Sequence, residues 1–105
     1  MKVAITSVGN GPDSKLDSRF GRCSYCVIYD TETSATTYIP NPFKENIEGA
    51  GPDLVKLISS NGVSKIVSGE FGAKVKALTD SLQIQLIVLK DNDITIDDII
   101  KMLNH

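Results

Sequence analysis

Tryptophan is absent from this chain, and histidine occurs once, at the last position, His105. Without an internal imidazole, no histidine–metal bond is available. The two cysteines, Cys23 and Cys26, have no second pair to complete a four-ligand zinc site. Long hydrophobic runs are also missing. No stretch approaches the ~20 apolar residues that cross a bilayer. The opening "MKVAITSVGNGP" holds an apolar run too short for a secretory core and broken by Thr and Ser. A cytoplasmic protein is therefore expected. In that reducing compartment, two cysteines are not expected to form a structural disulfide. No charge of one sign dominates either. Eleven Lys and Arg against 13 Asp and Glu give a formal net charge of -2, so no basic field draws nucleic acid. Neither nucleic acid nor membrane is an expected partner.

The residues that are present suit one globular domain spanning 1–105. Its composition, 41% hydrophobic and 23% charged, is ordinary for a chain that buries its own core. "KVAITSV" (Lys2 to Val8) is nearly continuous in apolar residues, as in a strand buried on both faces. "CSYCVIYD" (Cys23 to Asp30) and "ATTYIP" (Ala35 to Pro40) read as two further strands. The short "TETS" between them predicts an antiparallel hairpin. A helix is expected to open near Pro52, with Ala50, Leu54, Leu57 and Ile58 on one stripe and Asn61-Gly62 as its stop. "SKIVSG" is a buried strand, "AKVKALTDSL" a second helix and "IQLIVLK" a last strand. The final helix has the clearest start: Thr95 at the N-cap, Asp98 three residues on, and Ile94 placed to pack on Ile99.

The order β-β-β-α-β-α-β-α predicts an α/β fold, one sheet with helices on both faces and strand 2 antiparallel to its neighbours. The other four strands can run parallel and share a C-terminal edge. The loops leaving strands one, three and four are "GNGPDSKLDSRFGRC", "PNPFKENIEGAG" and "GEFG", the three Gly-rich segments of the sequence. Open α/β sheets bind ligands where the winding direction reverses at that edge. "GAG" and "GEFG" each open a helix, whose N-terminus carries unpaired N–H groups and about half a positive charge. Arg19 and Arg22, with Lys15 and Lys74, supply cations, and Phe20 and Phe71 supply apolar walls. An anion cradle is the reading these loops support. Set against it, glycines at such positions also serve as plain turn residues, arginines as solvated ones, and the two phenylalanines as loop packing.

The Cys-x-x-C pair leads into a strand rather than a helix, unlike a thioredoxin-type dithiol. Regular strand alternation sends residues three apart to opposite faces. Cys26 then reads as a buried small hydrophobe, and Cys23 as a soft ligand facing the crevice, the one candidate for direct metal contact. Three other functions remain open from the residues alone. They are a phosphate- or nucleotide-binding module in the same crevice, a Cys23/Cys26 thiol oxidoreductase, and a metal nuclease drawing on Asp13, Asp17, Asp30, Glu48 and Glu70. Asp97 and Asp98 read instead as charges at a helix start.

"LDSRFGRCSYCVIYD", followed by "NPFKENIEGAGPDLVKLISSNGVSKIVSGEFGAKVKALTDSLQIQL", resembles the dinitrogenase iron–molybdenum cofactor biosynthesis domain family. That group includes NifX, NafY and the C-terminal part of NifB. The resemblance implies a three-layer α/β/α fold with a ribonuclease H-like motif and a five-stranded mixed sheet in the order 3-2-1-4-5. It implies a small non-enzymatic carrier of an anionic metal–sulfur cluster. The cluster would be an iron–sulfur or iron–molybdenum cofactor precursor, or a molybdenum–copper sulfide, held non-covalently or absent from the purified protein. Donor and acceptor proteins for that cluster are the implied partners. By position, the implied cluster-facing residues are Arg19, Phe20, Gly21, Arg22 and Cys23, then Gly49, Ala50 and Gly51, then Gly69 and Gly72. Two departures stand out. Arg19 occupies a position where some relatives carry His, and Glu48 replaces the first glycine of the common Gly-Gly-Ala-Gly.

Overall fold

The computed structural model describes residues 1–104, so His105 lies outside the described residues. Five strands form one sheet: β1 (Lys2–Ser7), β2 (Tyr25–Asp30), β3 (Thr36–Pro40), β4 (Val63–Ser68) and β5 (Gln85–Val88). Their order is β3-β2-β1-β4-β5. The β2 strand runs antiparallel to both β1 and β3, while β1–β4 and β4–β5 are parallel. This is the α/β arrangement expected from the sequence, with strand 2 reversed.

Why β1 is central follows from its residues. Val3 to Ser7 are all completely buried, and alternation sends them to opposite faces. Ala4 joins an apolar cluster with Leu54, Val55 and Ile58 of α1 (Ala50–Ser60) and Val75 of α2 (Ala73–Ser81). Val3 and Ile5 join a second cluster with Leu16 and with Ile96 and Ile99 of α3 (Ile96–Leu103). The sheet is thus covered by α1 and α2 on one face and α3 on the other. No helix among the described residues is long and apolar enough to cross a membrane.

The start of α3 forms as its sequence dictates. Asp98 N donates to Thr95 Oγ1 at 3.1 Å and Thr95 N donates to Asp98 Oδ2 at 3.2 Å, a complete capping box. Ile94 packs into the same apolar cluster as Ile99. The hairpin strand begins later than expected. The β2 strand starts at Tyr25 rather than Cys23, because the turn that carries Gly21 at φ 96° has not yet rejoined the ladder.

Candidate functional site

The loops leaving β1, β3 and β4 meet at the C-terminal rim of the sheet. Two glycines make the meeting possible. A Cβ on Gly21 would stand 2.8 Å from Gly51 N, and one on Gly69 would stand 2.5 Å from Ser18 Cα. Backbone therefore lies against backbone at both places, and only glycine fits. The loops after β1 and β4 also share an isolated parallel bridge between Arg19 and Glu70. Phe20 and Phe71 close the junction, their ring centroids 5.4 Å apart and tilted by 43°. Gly51 in turn touches α2, since a Cβ there would lie 2.7 Å from Val75 Cγ2. Arg19, Phe20, Gly21, Gly51, Gly69 and Phe71 thus belong to one neighbourhood.

Three helices start at this end of the sheet, and their N-termini are treated differently. That of α3 is satisfied by protein. Besides the capping box, Ile96 N donates to Ser14 O at 2.9 Å and Asp97 N to Pro12 O at 2.8 Å. The other two helices have glycine N-caps, Gly49 at φ 73° and Gly72 in an extended conformation, and neither has a side-chain cap. Asp53 N and Lys76 N reach back to Gly49 O and Gly72 O. Ala50 N and Gly51 N of α1, and Ala73 N, Lys74 N and Val75 N of α2, have no protein acceptor among the described residues. Such first-turn donors carry the positive end of the helix dipole.

The charged residues are arranged less simply than the sequence suggested. Arg22 is half-buried, and its Nη1 donates to Lys44 O at 2.8 Å and to Asn46 O. It ties the loop after β1 to the loop after β3. Arg19 is exposed, but its Nε lies 3.3 Å from Oδ1 of the buried Asp17, which also accepts from Arg19 N at 2.9 Å. Lys15 pairs with Asp93 at 3.2 Å, beside α3 and not with the other cations. Lys74, Glu48 and Glu70 are exposed.

Cys23 does not face open space. It is completely buried, and Cys26 lies in the same apolar cluster. The opposite-face expectation fails because Cys23 precedes β2 and strand alternation does not govern it. Burial, with the Asp17 carboxylate adding to it, pushes the Cys23 thiol up to about 11, while the amides of Gly21 and Cys23 and the Asn41 side chain pull it partly back. Burial raises Cys26 further, Cys23 adding to the shift. Both thiols are free and protonated at neutral pH.

Two features escaped the sequence reading. Asn41 is a bracket: its Nδ2 donates to Gly21 O at 2.8 Å and Cys23 O at 3.0 Å, and its Oδ1 accepts from Phe43 N at 3.0 Å. The signal was an Asn directly after a strand and before Pro42, where an Asx-type turn is favoured. The second is a polar knot where β1 and β4 end. Thr6 Oγ1 lies 2.7 Å from Asp17 O and 2.9 Å from Ser68 Oγ, and all three residues are buried. The carboxylates considered for a nuclease do not gather. Asp30 stands at the opposite rim beside the amino terminus, Asp17 is taken by Arg19, and Asp13, Glu48 and Glu70 are exposed. Among the described residues, no three His, Cys, Asp or Glu side chains converge.

The molecule is therefore an α/β protein whose glycine-bearing loops meet at the switch point of a 3-2-1-4-5 sheet. The chain belongs to the dinitrogenase iron–molybdenum cofactor family, whose model matches residues 1–105. Solved structures share the architecture. The apo form of the orange protein from Desulfovibrio gigas superposes with a TM-score of 0.89 at 24% identity, over 97% of this chain and 85% of that one. A Thermotoga protein provisionally assigned as NifB gives 0.82 at 26% identity, over 97% and 85%. The protein PH0822 gives 0.79 at 26% identity, over 98% and 89%. No curated protein sequence matches the chain.

Proposed function

We propose that this protein is a small cytoplasmic, non-enzymatic carrier that holds an anionic metal–sulfur cluster in the rim crevice and exchanges it with donor and acceptor proteins. One domain, residues 1–105, would carry the whole function. Membership of a cofactor family supports the cargo class. The observation that carries the site is the contrast among helix N-termini: α3 is closed by its own side chains and loop carbonyls, whereas α1 and α2 keep their first-turn donors open beside the Gly21 turn. Backbone donors and the two dipoles then do most of the holding. Gly49 and Gly72, whose Cβ positions are open, let the cargo approach the chain closely, Ala50 and Gly51 offer it their amides, and Gly51 and Gly69 let the loops pack together behind it. Phe20 and Phe71 shield one side.

In this reading the arginines divide their work. Arg19, exposed and held on one edge by Asp17, keeps guanidinium donors for the cargo. Arg22 acts mainly as the strap that fixes the loop after β3. Cys23 acts as packing beneath the turn and not as a metal ligand, because a buried, protonated thiol is a poor one. Retention by many weak contacts suits a carrier, whose cargo must leave again.

Gly72→Asp tests the proposal cleanly. The site at Gly72 has open space for a side chain and an ordinary negative φ of -75°. An aspartate there caps α2 with its own carboxylate, adding a few tenths of a kcal/mol of stability, and puts a negative charge where the cargo would sit. Wild-type protein mixed anaerobically with tetrathiomolybdate and Cu(I), or with a synthetic iron–sulfur cluster, is expected to keep its colour through desalting. Gly72→Asp is expected to melt no lower than wild type and to lose the colour. Equal retention by both proteins would overturn the crevice as the site. Inorganic phosphate and ATP in parallel distinguish the phosphate-binding alternative, which predicts a raised melting temperature with those ligands instead.

A further inference from the structure

The β5 edge of the sheet is open, and its surroundings fit one occupant. We infer that two copies of this chain pair antiparallel along β5, joining their sheets into one of ten strands. Both sheet edges are unpaired, but they differ. The β3 strand carries exposed Thr36 and Thr37 and ends on Pro40, which lacks an N–H and discourages a neighbour. The β5 strand, Gln85–Val88, is short at four residues but has neither proline nor charge to turn a neighbour away.

Beside it runs a groove of about 470 Å³ lined by Phe71, Lys76, Asp80, Ile84, Leu86 and Val88, with Gln85 at the strand start. Ile84, Leu86 and Val88 are spaced by two and look to the same face of the sheet. Val88 is 47% exposed, and nearby Leu82 is 42% exposed. The helix α2 stops short of covering this last strand. A further strand laid on β5 would complete the face.

Charge selects a second copy as that strand. Lys76 and Asp80 both line the groove, and neither joins an ion pair among the described residues. The helix α2 returns antiparallel to β5, which places Lys76 toward the Val88 end and Asp80 toward the Ile84 end. A two-fold axis through Leu86 sets Leu86 against its own copy and Ile84 against Val88 of the other. It brings Lys76 of each copy to Asp80 of the other. A foreign peptide would have to supply both charges in the opposite order. Because the strands run antiparallel, the two rim crevices open at opposite ends of the joined sheet, so pairing leaves both accessible.

Sedimentation analysis of the full chain between roughly 10 µM and 1 mM, the range for modest interfaces, tests this. A monomer–dimer equilibrium is expected in wild type. Val88→Lys is expected to weaken it at least tenfold. Lys76→Asp and Asp80→Lys are each expected to weaken it several-fold, and the double exchange to restore it, with circular dichroism confirming that each variant folds. A monomer throughout the range, or a dimer indifferent to Val88→Lys, overturns the pairing. A dimer that Val88→Lys abolishes but that ignores both charge reversals overturns the two-fold register.

Discussion

At the scale of single residues, the meeting of the rim loops depends on which side chains are missing. Gly21 and Gly69 exclude even a methyl group, because a Cβ at either would overlap the neighbouring loop's backbone. Gly72 tolerates a side chain sterically but leaves α2 uncapped. The cysteines show the opposite logic, presence without exposure. With its pKa near 11, Cys23 is about one-thousandth thiolate at pH 8, so iodoacetamide should alkylate native protein roughly 100-fold more slowly than urea-unfolded chain. Rapid native labelling of Cys23 would contradict its buried placement. The same shift fixes a pH dependence. The folded state holds the Cys23 proton more tightly than the unfolded chain, whose thiol titrates near 9.0. Its contribution is complete below pH 9 and is lost as pH rises toward 11, by about 1.4 kcal/mol per unit. Urea denaturation at pH 8, 9 and 10 should show falling stability, with a shallower fall in Cys23→Ala.

Residue roles were the least legible part of the sequence. Phe-Gly-Arg marked the right turn, but Arg22's partners are carbonyls 22 and 24 residues away. Lys15 lies by sequence on the same loop as Arg19 and Arg22, yet it pairs with Asp93 across 78 residues. No local pattern encodes such partners. Asn41 carries a local turn signal in its position before Pro42, but its two carbonyl acceptors lie on another loop, where no local pattern points.

Elements were read more securely, because their signals are local. The two-faced burial of β1, the short hairpin between β2 and β3 and the Thr95–Asp98 pair all appear where the sequence placed them. The start of β2 shifted by two residues because a glycine turn preceded it. The capping box gives an element-scale prediction. Thr95→Ala should cost about 1 kcal/mol of stability, and Thr95→Ser should be nearly neutral. Since α3 lies on the sheet face opposite α1 and α2, Thr95→Ala should leave cluster retention unchanged. Loss of retention in that variant, at a temperature where it is folded, would place the cargo elsewhere. The contrast among the three helices is structural: one N-terminus is closed by protein, and two keep open donors, which is where the proposed cargo would bind.

For the whole molecule, the winding of the sheet brings the rim together. The chain leaves β1, visits β2 and β3 on one side, and crosses by α1 to β4 on the other. The loops flanking that reversal are the ones that meet. This convergence was legible because parallel strands must share a C-terminal edge. The amide-by-amide response of the isotope-labelled protein to tetrathiomolybdate in NMR tests the account most directly. Shifts concentrated at Ala50, Gly51, Ala73 and Lys74, with Ile96 and Asp97 of α3 unmoved, are the expected result. Shifts confined to the α3 side of the sheet, or none at saturating anion, would contradict it.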